Sequence, residues 1–302
     1  MFTKHTYIIL LLLVSNLSFS QSNLNSFLTP SDTLNIPRKN VVIISEASLA
    51  GITLIGLNQL WYAKYDKSKF HTINDNNEWM QMDKFGHIFS SYQLGRLGTE
   101  VLDWSGVSKR DQLTYGPALG FGFLSMVEVL DGFSSEWGFS WGDIAANATG
   151  TGLYIGQELL WKEQRITIKY SFHQTRYAAI SPDKLGGSLT EQLLKDYNGQ
   201  TYWLSANLHS FFQDSKIPKW LNIAFGYGAD GMLTGVKVID NQVLTSNDRY
   251  RQFYLSFDVN LNRIKTKSHI LKTIFSVFSI IKVPFPTLEF SKNRYVFHLL
   301  YY

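Results

Sequence analysis

The feature that most constrains this chain is a change of hydrophobic period after Arg165. Before it, apolar residues recur at helical spacing; beyond it, they alternate one by one. Ile166, Ile168, Tyr170 and Phe172 alternate with Thr167, Lys169, Ser171 and His173, and the same two-residue rhythm runs through Tyr202–His209, Leu221–Gly228, Phe253–Asn262 and Arg294–Tyr302. Asn198-Gly199 marks a tight turn just before the second of these runs. Upstream, helices are predicted over Val41–Tyr62, Asp83–Leu102, Asp111–Leu130 and Trp141–Trp161. The last three carry glycines at close spacing (Gly95 and Gly98, Gly116 and Gly120, Gly152 and Gly156), a pattern that lets helix backbones approach in a soluble bundle or in lipid. The expectation is an α+β chain: an N-terminal helical bundle followed by an antiparallel β region. That region is either a partial or small outer-membrane-type barrel, or a sheet packed on the bundle.

Residues 1–20 read as a secretory signal peptide. Lys4 and His5 precede an apolar core from Tyr7 to Val14, and Ser18-Phe19-Ser20 supplies the small residues a signal peptidase inspects before Gln21. The apolar run is shorter than the roughly 20 residues that cross a bilayer. Residues 21–40, with Pro30 and Pro37, read as a linker, residues 41–164 as the helical domain and residues 165–302 as the β region. The chain is therefore expected to be secreted across the inner membrane and to reside in the periplasm or outer membrane.

Several predicted strands are about ten residues long, the length of a strand in an outer-membrane barrel. Trp203, Trp220, Tyr250 and Tyr301 are expected at strand ends as an aromatic girdle, and the chain ends on Tyr302. Only five or six strands are legible, against eight in the smallest barrels. Within residues 267–283, Ile270, Leu271, Ile274, Phe275, Phe278 and Ile281 form an apolar stripe flanked by Lys265, Lys267, Lys272 and Lys282. This is a basic amphipathic helix for a membrane surface or a core helix with snorkelling lysines, stopped by Pro284 and Pro286. Charged residues make up 17% of the chain and aromatics 15%, which calls for a large buried or lipid-facing surface. Membrane lipid and other outer-membrane proteins are the expected partners. Nucleic acid is not, because Lys and Arg are spread without a stripe. The absence of cysteine excludes disulfides, thiolate metal sites and an acylated lipobox.

Three polar clusters punctuate the helical half. Asp83 and His87 lie four residues apart with Lys84 between them. Glu128 and Asp131 lie three apart, and Ser140, Asp143 and Asn147 follow. Each falls near a helix end, so antiparallel packing can bring all three together. Three readings stand. Asp83, His87, Glu128, Asp131 and Asp143 can hold a divalent metal, the one cofactor these residue types suggest. His87, Glu128 and Asp131 can serve acid–base catalysis. Alternatively, the residues form a structural network that includes Lys84, Ser140 and Asn147, with Ser140 and Asp143 capping a helix. An envelope protein with a structural or binding role and an envelope enzyme acting on lipid or cell-wall substrates both fit.

The stretch Trp79–Gln164 resembles the YfiM-type family of predicted periplasmic lipoproteins, of unknown function, and more distantly the VanZ-like membrane proteins. The shared elements fall on Asp83, Lys84, His87, Glu128, Asp143, Asn147 and Gly150. Residues Lys195–Ser205 resemble a signature of longer Bacteroidetes versions. The resemblance implies an envelope location and this two-part architecture, and no established activity. The chain departs from the pattern in lacking the lipoprotein cysteine and in having less apolar helices than VanZ-like spans.

Overall fold

The computed structural model describes residues 23–63, 65–236 and 249–301. The signal-peptide segment and Tyr302 lie outside these residues. Four long helices build the first half: α1 (Ile36–Leu57), α2 (Met82–Trp104), α3 (Lys109–Asp131) and α4 (Trp141–Trp161). The segment read as a linker is partly helical, because Asn35 caps α1 by accepting from Arg38 N at 3.0 Å and Pro37 suits the first turn. A π-helical turn, Asn58–Tyr62, continues α1. Helix α2 is central and contacts both α3 and α4.

Glycines set these contacts. A Cβ on Gly120 would lie 2.6 Å from the Ser91 carbonyl oxygen, and one on Gly98 3.0 Å from the Gly116 carbonyl oxygen. Gly152 and Gly156 do not play the part expected of them, since nothing lies within 4 Å of their Cβ positions. Gly150 is the close-approach glycine of α4, against Ile88 and Ser91.

The second half is one antiparallel six-stranded meander: β3 (Ile166–Phe172), β4 (Gln200–Asn207), β5 (Leu221–Asp230), β6 (Tyr250–Val259), β7 (Phe285–Ser291) and β8 (Arg294–Tyr301). Two short strands, β1 (Thr72–Ile73) and β2 (Phe139–Ser140), pair in parallel within the helical half. The meander does not close into a barrel. Its β3 edge is covered by the segment before β7: Tyr170 N donates to Ile280 O and Lys282 N donates to Tyr170 O, both at 3.0 Å. The far edge of β8 pairs with no strand among the described residues.

The sheet is polar on its inner face and apolar on its outer face. One register row carries Tyr170, Tyr202, Tyr227, Phe253, Phe290 and Tyr295 on the outer face; the adjacent row carries Lys169, Trp203, Gly226, Tyr254, Glu289 and Val296 on the inner. Along β6, Phe253, Leu255 and Phe257 are exposed while Tyr254, Ser256 and Asp258 are buried. Inside, Lys169 Nζ meets Asp258 Oδ2 at 2.7 Å, Ser205 Oγ donates to the same oxygen at 2.6 Å, and Val283 N donates to Asp258 Oδ1 at 3.0 Å. The outer face is covered along α2, where Phe85 stacks on Tyr202 and Tyr227, and Phe89 packs on Tyr170 and Tyr202.

Several expectations are corrected here. Trp203 and Tyr301 belong to no girdle: Trp203 is fully buried on the inner face, and Tyr301 Oη donates to Tyr254 Oη at 2.9 Å there. The amphipathic helix α5 (His269–Phe278) is shorter than its stripe suggested and ends before Pro284. Lys282 does not flank it in solvent but is buried, its ammonium 4.9 Å from the Trp203 ring centre. Pro286 sits inside β7, where the register slips between Phe285 and Thr287. A bulge is where a strand tolerates a residue without an N–H.

Candidate functional site

The three polar clusters meet at one end of the bundle. The N-terminus of α2 is delivered by three consecutive left-handed residues, Trp79 (φ 46°), Met80 (φ 52°) and Gln81 (φ 66°). Each such conformation costs a non-glycine residue about 1–2 kcal/mol. The sheet holds this turn: Tyr227 Oη donates to Met80 O at 2.5 Å, Trp79 N to Gly235 O at 2.8 Å and Arg251 Nη2 to Gln81 Oε1 at 2.7 Å. Helix α2 then presents Asp83 and His87 on one face. Ser140 caps α4 by accepting from Asp143 N at 3.2 Å, which sets Asp143 and Asn147 against α2. Glu128 arrives from the last turn of α3, and Ser140 N donates to its Oε2 at 3.1 Å.

His87 stands at the centre. Its Nδ1 lies 3.0 Å from Asn147 Oδ1, an acceptor, so Nδ1 donates and Nε2 points into the cluster. Around Nε2 stand Glu128 Oε1 at 3.5 Å, Asp143 Oδ1 at 3.8 Å and Asp83 Oδ1 at 3.9 Å. Lys84 Nζ bridges Asp75 Oδ2 at 2.7 Å and Asp143 Oδ1 at 2.8 Å, with Asp83 Oδ2 at 3.4 Å. Asp75 also accepts from Ser140 Oγ at 2.6 Å, a contact set up by the β1–β2 pairing. Tyr197 Oη reaches from the β half and donates to Asp83 Oδ1 at 2.6 Å.

Electrostatics follow from many carboxylates in little water. Burial, reinforced by the charges of Asp143 and Asp131, pushes the Glu128 carboxyl up to about 9. Burial and Asp83 push Asp143 up to about 7. Burial opposes ionisation of Asp83 too, but His87 and Lys84 outweigh it and hold that carboxyl below its ordinary range. For Lys84, burial works against the charge while Asp83 and Asp143 favour it, and the net direction is upward. Such an arrangement can share protons among carboxylates or hold a cation.

The structure gathers Asp83, Lys84, His87, Glu128, Ser140, Asp143 and Asn147. Asp131 stands to one side, accepting from Tyr62 Oη at 2.7 Å, and burial raises its carboxyl to about 7. It is not among the donors around His87 Nε2, unlike the metal and catalytic roles expected of it. Asp75, Tyr62 and Tyr197 were not expected at the site. Asp75 lies in a turn-rich stretch without periodicity, whereas Tyr197 lies in the Lys195–Ser205 segment that already stood out.

The family described as "Predicted periplasmic lipoprotein (DUF2279)" matches residues 73–156. That span includes every residue around His87 and none of the sheet, and it fits an envelope protein of unknown activity. No curated protein and no solved structure matches the chain.

Proposed function

We propose that this chain is an outer-membrane-associated envelope protein that seats the outer face of its sheet on lipid and serves a structural or binding role there. The YfiM-type and VanZ-like likeness is part of this reading. One observation carries it: the sheet is apolar outward and polar inward. Phe225, Phe253, Phe257 and Phe297 are 54%, 49%, 48% and 66% exposed, while the inner face buries Lys169, Asp258 and Glu289. A water-soluble antiparallel sheet distributes these residues the other way, and an exposed apolar surface of this extent marks a membrane or protein contact. Helix α1 adds Ile43, Ile44, Leu49, Ile52 and Ile55, all more than half exposed. Helices α1 and α3 are long and apolar enough to cross a membrane. The open β8 edge argues for seating at the lipid surface, because hydrocarbon does not tolerate a row of unpaired backbone groups.

The test is flotation of the purified chain with vesicles of phosphatidylethanolamine and phosphatidylglycerol. The chain should float with the vesicles. The triple variant Phe253→Glu, Leu255→Glu, Phe257→Glu should stay at the bottom of the gradient while keeping its far-UV spectrum. Flotation of that folded variant equal to the parent's would refute the lipid-facing assignment.

A further inference from the structure

We propose that His87 Nε2, Asp83 Oδ1 and Asp143 Oδ1, with Glu128 Oε1 beside the imidazole, form a binding site for a divalent cation of the zinc class. The argument begins with distances. The three carboxylate oxygens stand 3.5–3.9 Å from His87 Nε2, too far for hydrogen bonds, which lie near 2.7–3.2 Å. Ligands bound tetrahedrally at zinc distances are separated by about 3.4 Å. Around Nε2 the three oxygens therefore stand at ligand-to-ligand spacing from the imidazole and not at hydrogen-bonding spacing. Donor atoms of Asp83, His87 and Asp143 all lie within 4.8 Å of one another.

The outer contacts suit the same role. A metal-binding histidine usually donates its other ring N–H to a fixed acceptor, and here Nδ1 donates to Asn147. Asn147 is fully buried, and its Nδ2 has no hydrogen-bond partner among the described residues. The amide is thus held in place by His87 rather than by a network of its own. Glu128 is 2% exposed, and Ser140 N occupies its other oxygen, leaving Oε1 free to face the imidazole. Tyr197 Oη and Lys84 Nζ contact the same Asp83 Oδ1 and Asp143 Oδ1 atoms at 2.6 and 2.8 Å, so each oxygen would offer its second lone pair to the ion.

Charge completes the case. Four carboxylates, Asp75, Asp83, Glu128 and Asp143, share one ammonium, Lys84, which bridges Asp75 and Asp143 and stands 3.4 Å from Asp83. Among the described residues no Lys or Arg nitrogen lies within 4 Å of the Glu128 carboxylate. A dication there would neutralise the excess. The side chains of Asp83 and His87 are 26% and 14% exposed, so an ion can enter from solvent.

The experiment is calorimetric titration of the purified full chain with zinc chloride after chelation and dialysis, alongside metal content by mass spectrometry. One zinc per chain is expected. Glu128→Gln keeps a carbonyl oxygen for Ser140 N and should weaken binding tenfold or more, as should His87→Asn. Asn147→Ala should weaken it about 10–100-fold, the usual effect of removing an outer-shell partner. Far-UV spectra of the zinc-free variants establish that they are folded; Glu128→Gln carries the test if His87→Asn is not. A flat titration of the parent overturns the site. So does parental zinc affinity in either folded variant, since the zinc would then be bound elsewhere. The outcome is independent of vesicle flotation, which does not involve these residues.

Discussion

Replacing Asp258 with alanine should be among the most damaging changes in the β half. Asp258 is fully buried and takes three contacts, from Lys169 Nζ, Ser205 Oγ and Val283 N. Its loss leaves Lys169, 1% exposed, with only the Val259 carbonyl at 2.9 Å. An uncompensated buried charge costs about 3–5 kcal/mol. There is also a ceiling: Lys169 can lose its proton instead, and deprotonating a lysine of ordinary pKa at pH 7 costs about 4.6 kcal/mol. Burial already pulls Lys169 downward and Asp258 is what opposes it, so the variant should take that route. The orphaned Ser205 and Val283 groups add about 1 kcal/mol each. Equilibrium unfolding by denaturant should therefore show a loss of roughly 5–7 kcal/mol at pH 7. The loss should shrink toward pH 10, where the unfolded chain no longer holds the Lys169 proton firmly. The double variant Lys169→Met, Asp258→Asn removes the charge, keeps an acceptor for Val283 N and turns an amide N–H toward Ser205 Oγ, and should recover about 2 kcal/mol or more. A single-variant loss below about 1 kcal/mol, or a double variant less stable than the single, would refute the buried-pair account.

Two further outcomes follow from the packing. Burial lowers the Lys282 ammonium to about 8, so between about pH 8 and the ordinary lysine value the unfolded chain holds more protons, and stability should rise with pH across that window. Below it the penalty is fully present. Lys282→Met should flatten this rise and stabilise the fold by about 1–3 kcal/mol at pH 7, read from unfolding midpoints at pH 7 and 10. Gly120→Ala places a Cβ 2.6 Å from the Ser91 carbonyl and 3.0 Å from Gly95 N, and should lower stability by about 1–3 kcal/mol. Gly152→Ala, with open space around it, should raise stability by about 0.5–1 kcal/mol through helix propensity; equal effects from the two substitutions would refute the packing assignment.

Much of the architecture was legible because period is a local property. The switch after Arg165 falls between the last long helix and the first strand of the meander, and four helices and five strands stand where the apolar rhythm put them. What stayed hidden depends on which face meets what. Alternation in Tyr254, Ser256 and Asp258 identifies a strand but does not say that the polar side is the inner one. Trp203 looked like a girdle residue because aromatics are common there, and it is buried because Gly226 beside it leaves room for its ring. Strand β7 was obscured by Pro286, which a bulge accommodates. At the site, carboxylates near the ends of otherwise apolar helices are costly to bury unless they meet partners, so the convergence of Asp83, Glu128 and Asp143 could be anticipated. Tyr197 could not be placed, since its contact with Asp83 spans 114 positions.

That contact and the left-handed turn at Trp79–Gln81 bear on the order in which the chain matures. The helical half precedes the sheet in the chain, yet its acidic end is pinned by Tyr197, Tyr227, Gly235 and Arg251, all of which follow it. The bundle can collapse on its glycine contacts before the sheet exists, but Asp83 is not oriented until the meander has docked. The two halves are thus sequential in the chain and simultaneous in completion: the polar end takes its final form only once the sheet has docked.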